Sequence, residues 1–208
     1  MPTYLDLHTW NRRGQFDFFR QFTEPFTGFC TEVDVTAARA LCRQTGRSFF
    51  AHYLHLSLRA ANEITPFRYR IDGERVAVHP RVDASATIAR PDGSFGFSHI
   101  EYADDFKHFA ANVLAERTRI ASDYNLFPPV LGDCVIHYSS VPWVKFTSVS
   151  HARHFDFPDS SPKITFGKVF PRDGAYWMPM AVHAHHALLD GRDMGTYVES
   201  FQTLLFAS

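Results

Sequence analysis

The segment 182–191 holds the densest set of residues that could do chemistry. It reads Val-His-Ala-His-His-Ala-Leu-Leu-Asp-Gly, in a chain that has 12 histidines in total. Side chains alternate between the two faces of a β-strand, so a strand here would place His183 and His185 on one face and His186 on the other. The three imidazoles therefore cannot all serve one site if the segment is a regular strand.

Taken as residues alone, the segment has three interpretations. A zinc site could use His183, His185 and Asp190, although no further spaced Cys or His pair completes it. A polar strand end whose histidines are hydrogen-bonded is the second. In the third, His186 stands at a strand terminus as a general base, because an unperturbed imidazole pKa of about 6.5 suits proton abstraction at neutral pH. Asp190 and Gly191 would then shape the turn that follows.

The elements that must position these residues alternate in periodicity. Apolar residues at helical spacing predict four helices, at 36–45, 49–64, 104–124 and 194–206. Strand-like runs lie at 67–71, 75–79, 84–89, 94–100, 134–139, 144–147, 163–169 and 176–183, two pairs of them around Asp-Gly turns. Hairpins with a few long helices predict an α+β, two-layer sandwich in which a mainly antiparallel or mixed sheet has helices packed on one face. Residues 1–208 are expected to form a single domain.

Composition excludes several classes of protein. The 208 residues carry 21 Lys+Arg against 22 Asp+Glu, so no electrostatic footprint for nucleic acid or an anionic membrane surface is expected. No run approaches the roughly 18 apolar residues of a membrane helix. The three cysteines form no CxxC pair, which predicts a reducing, cytoplasmic location. The 21 Phe predict large apolar walls.

The heptapeptide HHALLDG at 185–191 resembles the HHxxxDG signature of CoA-dependent acyltransferases. Further segments resemble those of one family in that group, the chloramphenicol acetyltransferases, and together they run from the first ten residues to the last predicted helix. They are WNRR at 10–13, NLFP at 125–128, SSVPW at 139–143 and KITFGK at 163–168. The resemblance implies the CoA-dependent acyltransferase fold, acetyl-CoA as co-substrate and no metal.

The resemblance also implies roles for single residues. His186 is expected to be the general base, its ring held by a bond to its own backbone carbonyl. Ser139 is expected to donate a hydrogen bond to the tetrahedral oxyanion, and Thr165 to hold an ordered water. Asp190 is expected to form a buried structural pair with Arg12.

The remaining expected site residues bind the substrates. By the same resemblance, they are Phe19, Phe95, Phe127 and His137 for the acceptor, and Trp143 and Lys168 for CoA. The family also implies a homotrimer with active sites between subunits, in which His186 comes from one subunit and much of the acceptor pocket from its neighbour.

The acceptor is where the chain departs from the family pattern. Segment 23–29 differs in chemistry, His137 stands where the family often has Asn, and Arg192-Asp193 follows the motif where an aromatic or Leu and then His are common. Acetyl transfer to a hydroxyl of chloramphenicol is the leading prediction. An O-acetyltransferase for another small alcohol and a catalytically silent, drug-binding homologue are the alternatives.

Overall fold

Residues 1–129, 132–154 and 158–208 are described by the computed structural model, and they form five α-helices and ten strands. The helices are α1 (Arg13–Phe19), α2 (Thr36–Thr45), α3 (Phe49–Glu63), α4 (Phe106–Ser122) and α5 (Gly191–Phe206). The strands are β1 (Thr3–Tyr4), β2 (Phe26–Asp34), β3 (Tyr69–Asp72), β4 (Arg75–Val78), β5 (Asp83–Ala89), β6 (Phe95–Phe97), β7 (Val135–Val141), β8 (Lys163–Gly167), β9 (Phe170–Arg172) and β10 (Ala175–His185).

The main sheet is mixed. Its strand order is β2-β10-β8-β7-β5-β6, with β9 added beside β10, and β1-β4-β3 form a separate small sheet. Strand β7 runs parallel to both β5 and β8, while the other pairs are antiparallel. The predicted α+β architecture with a mixed sheet is confirmed.

The two faces of this sheet differ in chemistry. Val182, Ile164 and Ile136 share the face that packs on the helices, and all three are fully buried. The strand register places His183, Lys163, His137 and Ser85 side by side on the opposite face. Because side chains alternate along each strand, that second face is polar across four neighbouring strands.

Most predicted elements are found within a few residues. Helices α2, α3 and α4 match their predicted spans, but α5 begins at Gly191, three residues before the predicted 194, because Asp190 caps it. The predicted strand at 144–147 is wrong: this segment forms no strand and follows a turn at the end of β7. The predicted strand at 67–71 begins instead as a 3₁₀ turn, Thr65–Arg68, with β3 starting at Tyr69.

Strand β2 was not predicted, and Gly28 explains its position. Strand β2 pairs along nine residues with β10. A Cβ atom at Gly28 would lie 2.3 Å from the carbonyl oxygen of Val182. Such a close backbone approach requires glycine. The pairing brings segment 23–29 beside the His-rich end of β10.

Candidate active site

His186 lies in a tight turn between β10 and α5. Asp190 is the N-cap of α5: its side chain accepts from the backbone N–H groups of Arg192 and Asp193, and the Asp193 carboxylate accepts from the N–H of Asp190. This reciprocal capping box satisfies the free donors at the helix start. One of the residues that departs from the family pattern, Asp193, therefore completes the cap that holds the turn.

The imidazole of His186 is bound at one nitrogen. Nδ1 lies 3.1 Å from the carbonyl oxygen of Leu189, and the ring stacks on Phe19 with centroids 4.0 Å apart. A carbonyl can only accept, so Nδ1 carries the hydrogen and Nε2 keeps its lone pair. The predicted bond of the ring to its own carbonyl is wrong; that carbonyl accepts from Nη2 of Arg12 at 3.2 Å.

Arg12 joins the amino-terminal segment to this turn. Its Nη1 pairs with the Asp190 carboxylate while its Nη2 binds the His186 carbonyl. Burial opposes ionisation of Asp190, but the N–H of Asp193 and the charge of Arg12 outweigh it and lower the pKa of the carboxyl. The expected burial of the pair is wrong for the single chain, where the side chains are 15% and 39% exposed.

Ser139 and Thr165 lie directly opposite each other on β7 and β8. Thr165 is 1% exposed, and its hydroxyl has no hydrogen-bond partner within the described ranges. Ser139 is half-buried and faces a cavity of about 970 Å³ that opens on the polar face of the sheet. The two hydroxyl-bearing residues thus form one row across adjacent parallel strands.

The cavity is lined from several elements. Ser85, His99, Phe127, His137 and Ser139 contribute to its wall, as do the loop residues His151 and Arg153. Neither His186 nor Phe19 lines this cavity. His186 and Ser139 therefore lie at two separate places on one chain.

The aromatic residues expected in the acceptor pocket do not lie together. Phe127 lines the cavity and stacks on Phe97 with centroids 5.6 Å apart. Phe95 is not part of the lining within the described ranges, whereas Phe97, which sequence reasoning missed, is. Phe95 and Phe97 share one face of β6, and this alternation was the available signal.

His137 has a charged neighbour that sequence reasoning missed. It lies opposite Lys163 on β8, and the Lys163 ammonium binds the Asp159 carboxylate. Burial foremost, and then the charge of Lys163, lowers the pKa of His137 to about 4. The ring is therefore uncharged at neutral pH and can both donate and accept.

Segment 23–29 contacts both places. The Pro25 carbonyl accepts from the N–H of His186 at 2.8 Å, and Glu24 pairs with Arg153 at 3.2 Å. The residues expected to bind CoA lie on the surface of the chain: Trp143 is 74% exposed and Lys168 is also exposed.

The three groups proposed for zinc are engaged elsewhere. The His183 ring packs edge-on against His151 with centroids 4.9 Å apart, the His185 Nδ1 accepts from the Ala187 N–H at 3.3 Å, and Asp190 pairs with Arg12. Within the described ranges, no three His, Cys, Asp or Glu side chains are grouped as metal ligands. No helix in that part of the chain is long and apolar enough to cross a membrane. Cys30, Cys42 and Cys134 are free thiols.

Comparison with known proteins gives a consistent match over the whole chain. A family model described as chloramphenicol acetyltransferase matches residues 2–202. A chloramphenicol acetyltransferase of Streptomyces acrimycini is 32% identical, covering 98% of this chain and 94% of its own, and chloramphenicol acetyltransferase 2 of Escherichia coli is 27% identical over 97% and 96%. A solved chloramphenicol acetyltransferase structure superposes with a TM-score of 0.89 at 30% identity, covering 99% of this chain and 100% of that one. The chain therefore belongs to the chloramphenicol acetyltransferase family of acyltransferases.

Proposed function

We propose that the protein transfers the acetyl group of acetyl-CoA to a hydroxyl of chloramphenicol. The observation that carries the proposal is the bond from His186 Nδ1 to the Leu189 carbonyl, which leaves Nε2 with a free lone pair. A neutral imidazole fixed in this tautomer is a suitable base for an alcohol. The relatives that match along the full chain are named as chloramphenicol acetyltransferases.

The reaction needs no acyl-enzyme. Nε2 of His186 takes the hydroxyl proton as the acceptor oxygen attacks the thioester carbonyl of acetyl-CoA. The Ser139 hydroxyl donates to the oxyanion of the tetrahedral intermediate. When that intermediate collapses, the C–S bond breaks, the new C–O bond remains, and the imidazolium returns its proton to the CoA thiolate.

The remaining residues support this chemistry. Arg12 and Asp190 hold the turn that carries His186, and they do not act as a second base. The buried Thr165 hydroxyl, beside Ser139, is suited to hold a water near the reacting centre. Trp143 and Lys168 are assigned to CoA from the family resemblance, the lysine as a point charge for a phosphate.

We assign the complete site to the interface of a homotrimer. The Ser139 cavity lacks His186, and the His186 edge carries two exposed aromatic rings, Phe18 and Phe22, packed against Phe19 at centroid distances of 5.0 and 5.2 Å. A neighbouring subunit would cover these rings and bring its cavity to His186. Each chain of 1–208 acts as a single domain in this assembly, and free cysteines are compatible with a cytoplasmic location.

A second acceptor class is favoured by one observation. The cavity floor holds Lys163, His137 and Asp159, which are polar or charged groups. Another small alcohol, more polar than chloramphenicol, would fit such a floor.

Release of free CoA thiol tests the proposal. Purified protein is incubated with acetyl-CoA and chloramphenicol, and release that requires the drug and is lost in His186→Ala is expected. The matched control is His108→Ala on α4, whose side chain is 80% exposed and far from the motif in sequence. If other alcohols are acetylated and chloramphenicol is not, the acceptor is a different small alcohol. Drug binding without turnover of any alcohol would leave a silent binding protein. An active monomer in sedimentation would overturn the shared site.

A further inference from the structure

The floor of the Ser139 cavity holds a buried ammonium group. Lys163 projects from β8 between His137 and His183, and its side chain is 9% exposed. Within the described ranges the ammonium donates to one protein acceptor, the Asp159 carboxylate. A lysine ammonium has three donors, so two remain for a molecule in the cavity.

Positive charge exceeds negative charge around this floor. Arg153 also lines the cavity and has one carboxylate partner, Glu24. Arg70 is fully buried close by, and its guanidinium binds only backbone carbonyls in the part of the chain that is described, among them those of Asp133 and Val135. Lys163 and Arg153 are thus each paired with one carboxylate, and Arg70, which lies outside the lining, is bound to no carboxylate among the described residues.

The other carboxylate of the lining is solvated. The side chain of Asp133 is 61% exposed, so water screens its charge. The Lys163 ammonium, by contrast, is shielded from water, so its charge acts more strongly on a group bound in the cavity.

Two neutral imidazoles complete the polar end. Burial, the largest cause in both rings, lowers the pKa of His137 and of His151 to about 4, and the charge of Lys163 contributes in each. At neutral pH each ring can donate one hydrogen bond. These donors, with the two free ones of Lys163, would suit an acceptor group rich in lone pairs.

Another part of the cavity lining is aromatic. Phe97 and Phe127 are stacked there at an interplanar angle of 30°. The row of Ser139 and Thr165 lies two residues along the strands from the row of His137 and Lys163, a separation of about 7 Å. This separation is comparable with the distance between para substituents of a phenyl ring.

We propose that the pocket selects aryl alcohols that carry a carboxylate across the ring from the reacting hydroxyl, and that Lys163 is the specificity-determining residue that binds this carboxylate. The proposal rests on the acetyl transfer proposed above and deepens it by naming the acceptor class. The hydroxyl reacts at the Ser139 end, and the carboxylate is unchanged by the reaction. Charge-assisted hydrogen bonds in a partly dry pocket supply the discrimination.

A matched series of acceptors tests the proposal. The para-substituted benzyl alcohols with a carboxylate, a carboxamide or a methyl group have nearly the same shape, and thiol release gives kcat/KM for each beside chloramphenicol. Because a hydrogen bond to a charged group contributes about 1.5–3 kcal/mol, the carboxylate should be preferred over the methyl compound by about 10- to 150-fold. The amide should lie between them.

Variants separate Lys163 from the rest of the pocket. Lys163→Met should lower kcat/KM for the carboxylate to the level that the methyl compound shows in the same variant, so that the preference is lost. Because this change leaves Asp159 unpaired, the Asp159→Asn/Lys163→Met double variant carries the test if the single variant does not fold. Lys107→Met, on the exposed side of α4, is the matched control and should keep the full preference.

The outcomes distinguish this proposal from the acetyl transfer on which it rests. If chloramphenicol is acetylated but the carboxylate and methyl alcohols react equally, the role of Lys163 is overturned and the acetyl transfer stands. If the carboxylate is preferred and chloramphenicol is not acetylated, the selection stands and the natural acceptor is an acidic alcohol. If no alcohol reacts, both proposals fail.

Discussion

The His186 turn and the Ser139 cavity are built in different ways. The turn is held largely by residues within a few positions of each other: the Asp190 cap, its partner Asp193 and the Leu189 carbonyl. The cavity, in contrast, is assembled by the register of β5, β7 and β8 and by loops distant in sequence. His186 is therefore positioned largely by local structure, whereas the pocket exists only after the sheet has formed.

Long-range bonds hold the strand that carries Ser139. Behind β7, the Ser57 hydroxyl donates to the Tyr138 hydroxyl at 3.0 Å and also lies 2.6 Å from that of Tyr197. Tyr53 and Ser140 add a further pair at 3.0 Å. These contacts join α3 and α5 to the strand that carries Ser139.

The largest effect is expected from a change in the His186 turn that leaves the cavity residues unchanged. His186→Gln keeps a polar side chain of similar size but removes the base, so kcat should fall by about 10²–10⁴-fold. The dissociation constant for chloramphenicol, measured by calorimetry, should stay within twofold of wild type because the cavity is built elsewhere. A large loss of drug binding would show that the two regions depend on each other.

A smaller loss is expected from the cavity side. Ser139→Ala removes the oxyanion donor, and kcat should fall by about 10²–10³-fold at unchanged KM for acetyl-CoA. Ser140→Ala is the neighbouring control, because its hydroxyl binds Tyr53 on the other face of β7. Equal losses of kcat in the two variants would assign the effect to the strand and not to the oxyanion.

Acid should affect the polar face of the sheet more than the turn. Burial foremost lowers the pKa values of His137, His151 and His185 to about 4, below the unfolded value of about 6.5. The unfolded chain therefore binds protons first as the pH falls. The stability that these three neutral rings give above pH 6.5 is lost between about pH 6.5 and 4. For each histidine, the equilibrium constant for unfolding rises by up to tenfold per pH unit over this range. Denaturant titrations at a series of pH values give the free energy of unfolding, which should depend less steeply on pH in His137→Gln than in wild type. An equally steep pH dependence would contradict the burial of this ring.

The smallest expected effect concerns the cap. Asp190→Ala removes the N-cap of α5, which costs about 0.5–2 kcal/mol of unfolding free energy. The ion pair with Arg12 adds less than a buried pair would, because Asp190 is 39% exposed. Asp190→Asn keeps the cap and loses the charge. It should therefore be more stable than Asp190→Ala in thermal unfolding, and its kcat should stay below the wild-type value because the pair with Arg12 is lost. Identical melting temperatures for the two variants would rule out capping as the source of stability.

The helices and the position of the His186 turn could be predicted because both depend on local signals. Helical periodicity predicted α2, α3 and α4 within a few residues, and the HHALLDG motif singled out His186. The strand predicted at 144–147 is wrong because this segment pairs with no strand in the described part of the chain. Strand β2 was missed because its pairing with β10 depends on contacts about 150 residues apart in sequence.

The family and the α+β class could be predicted from the sequence because they follow from motifs and periodicities of a few residues, and the same motif predicts His186 as the base. The tertiary structure decided which carbonyl holds the His186 ring, that Asp193 completes the cap, and that Lys163 lies beside His137 at the cavity floor. Strand register and backbone position set these contacts, and a shift of one residue would turn every side chain of a strand to the other face. Such a choice is made by the packing of the whole sheet and cannot be read from any single segment.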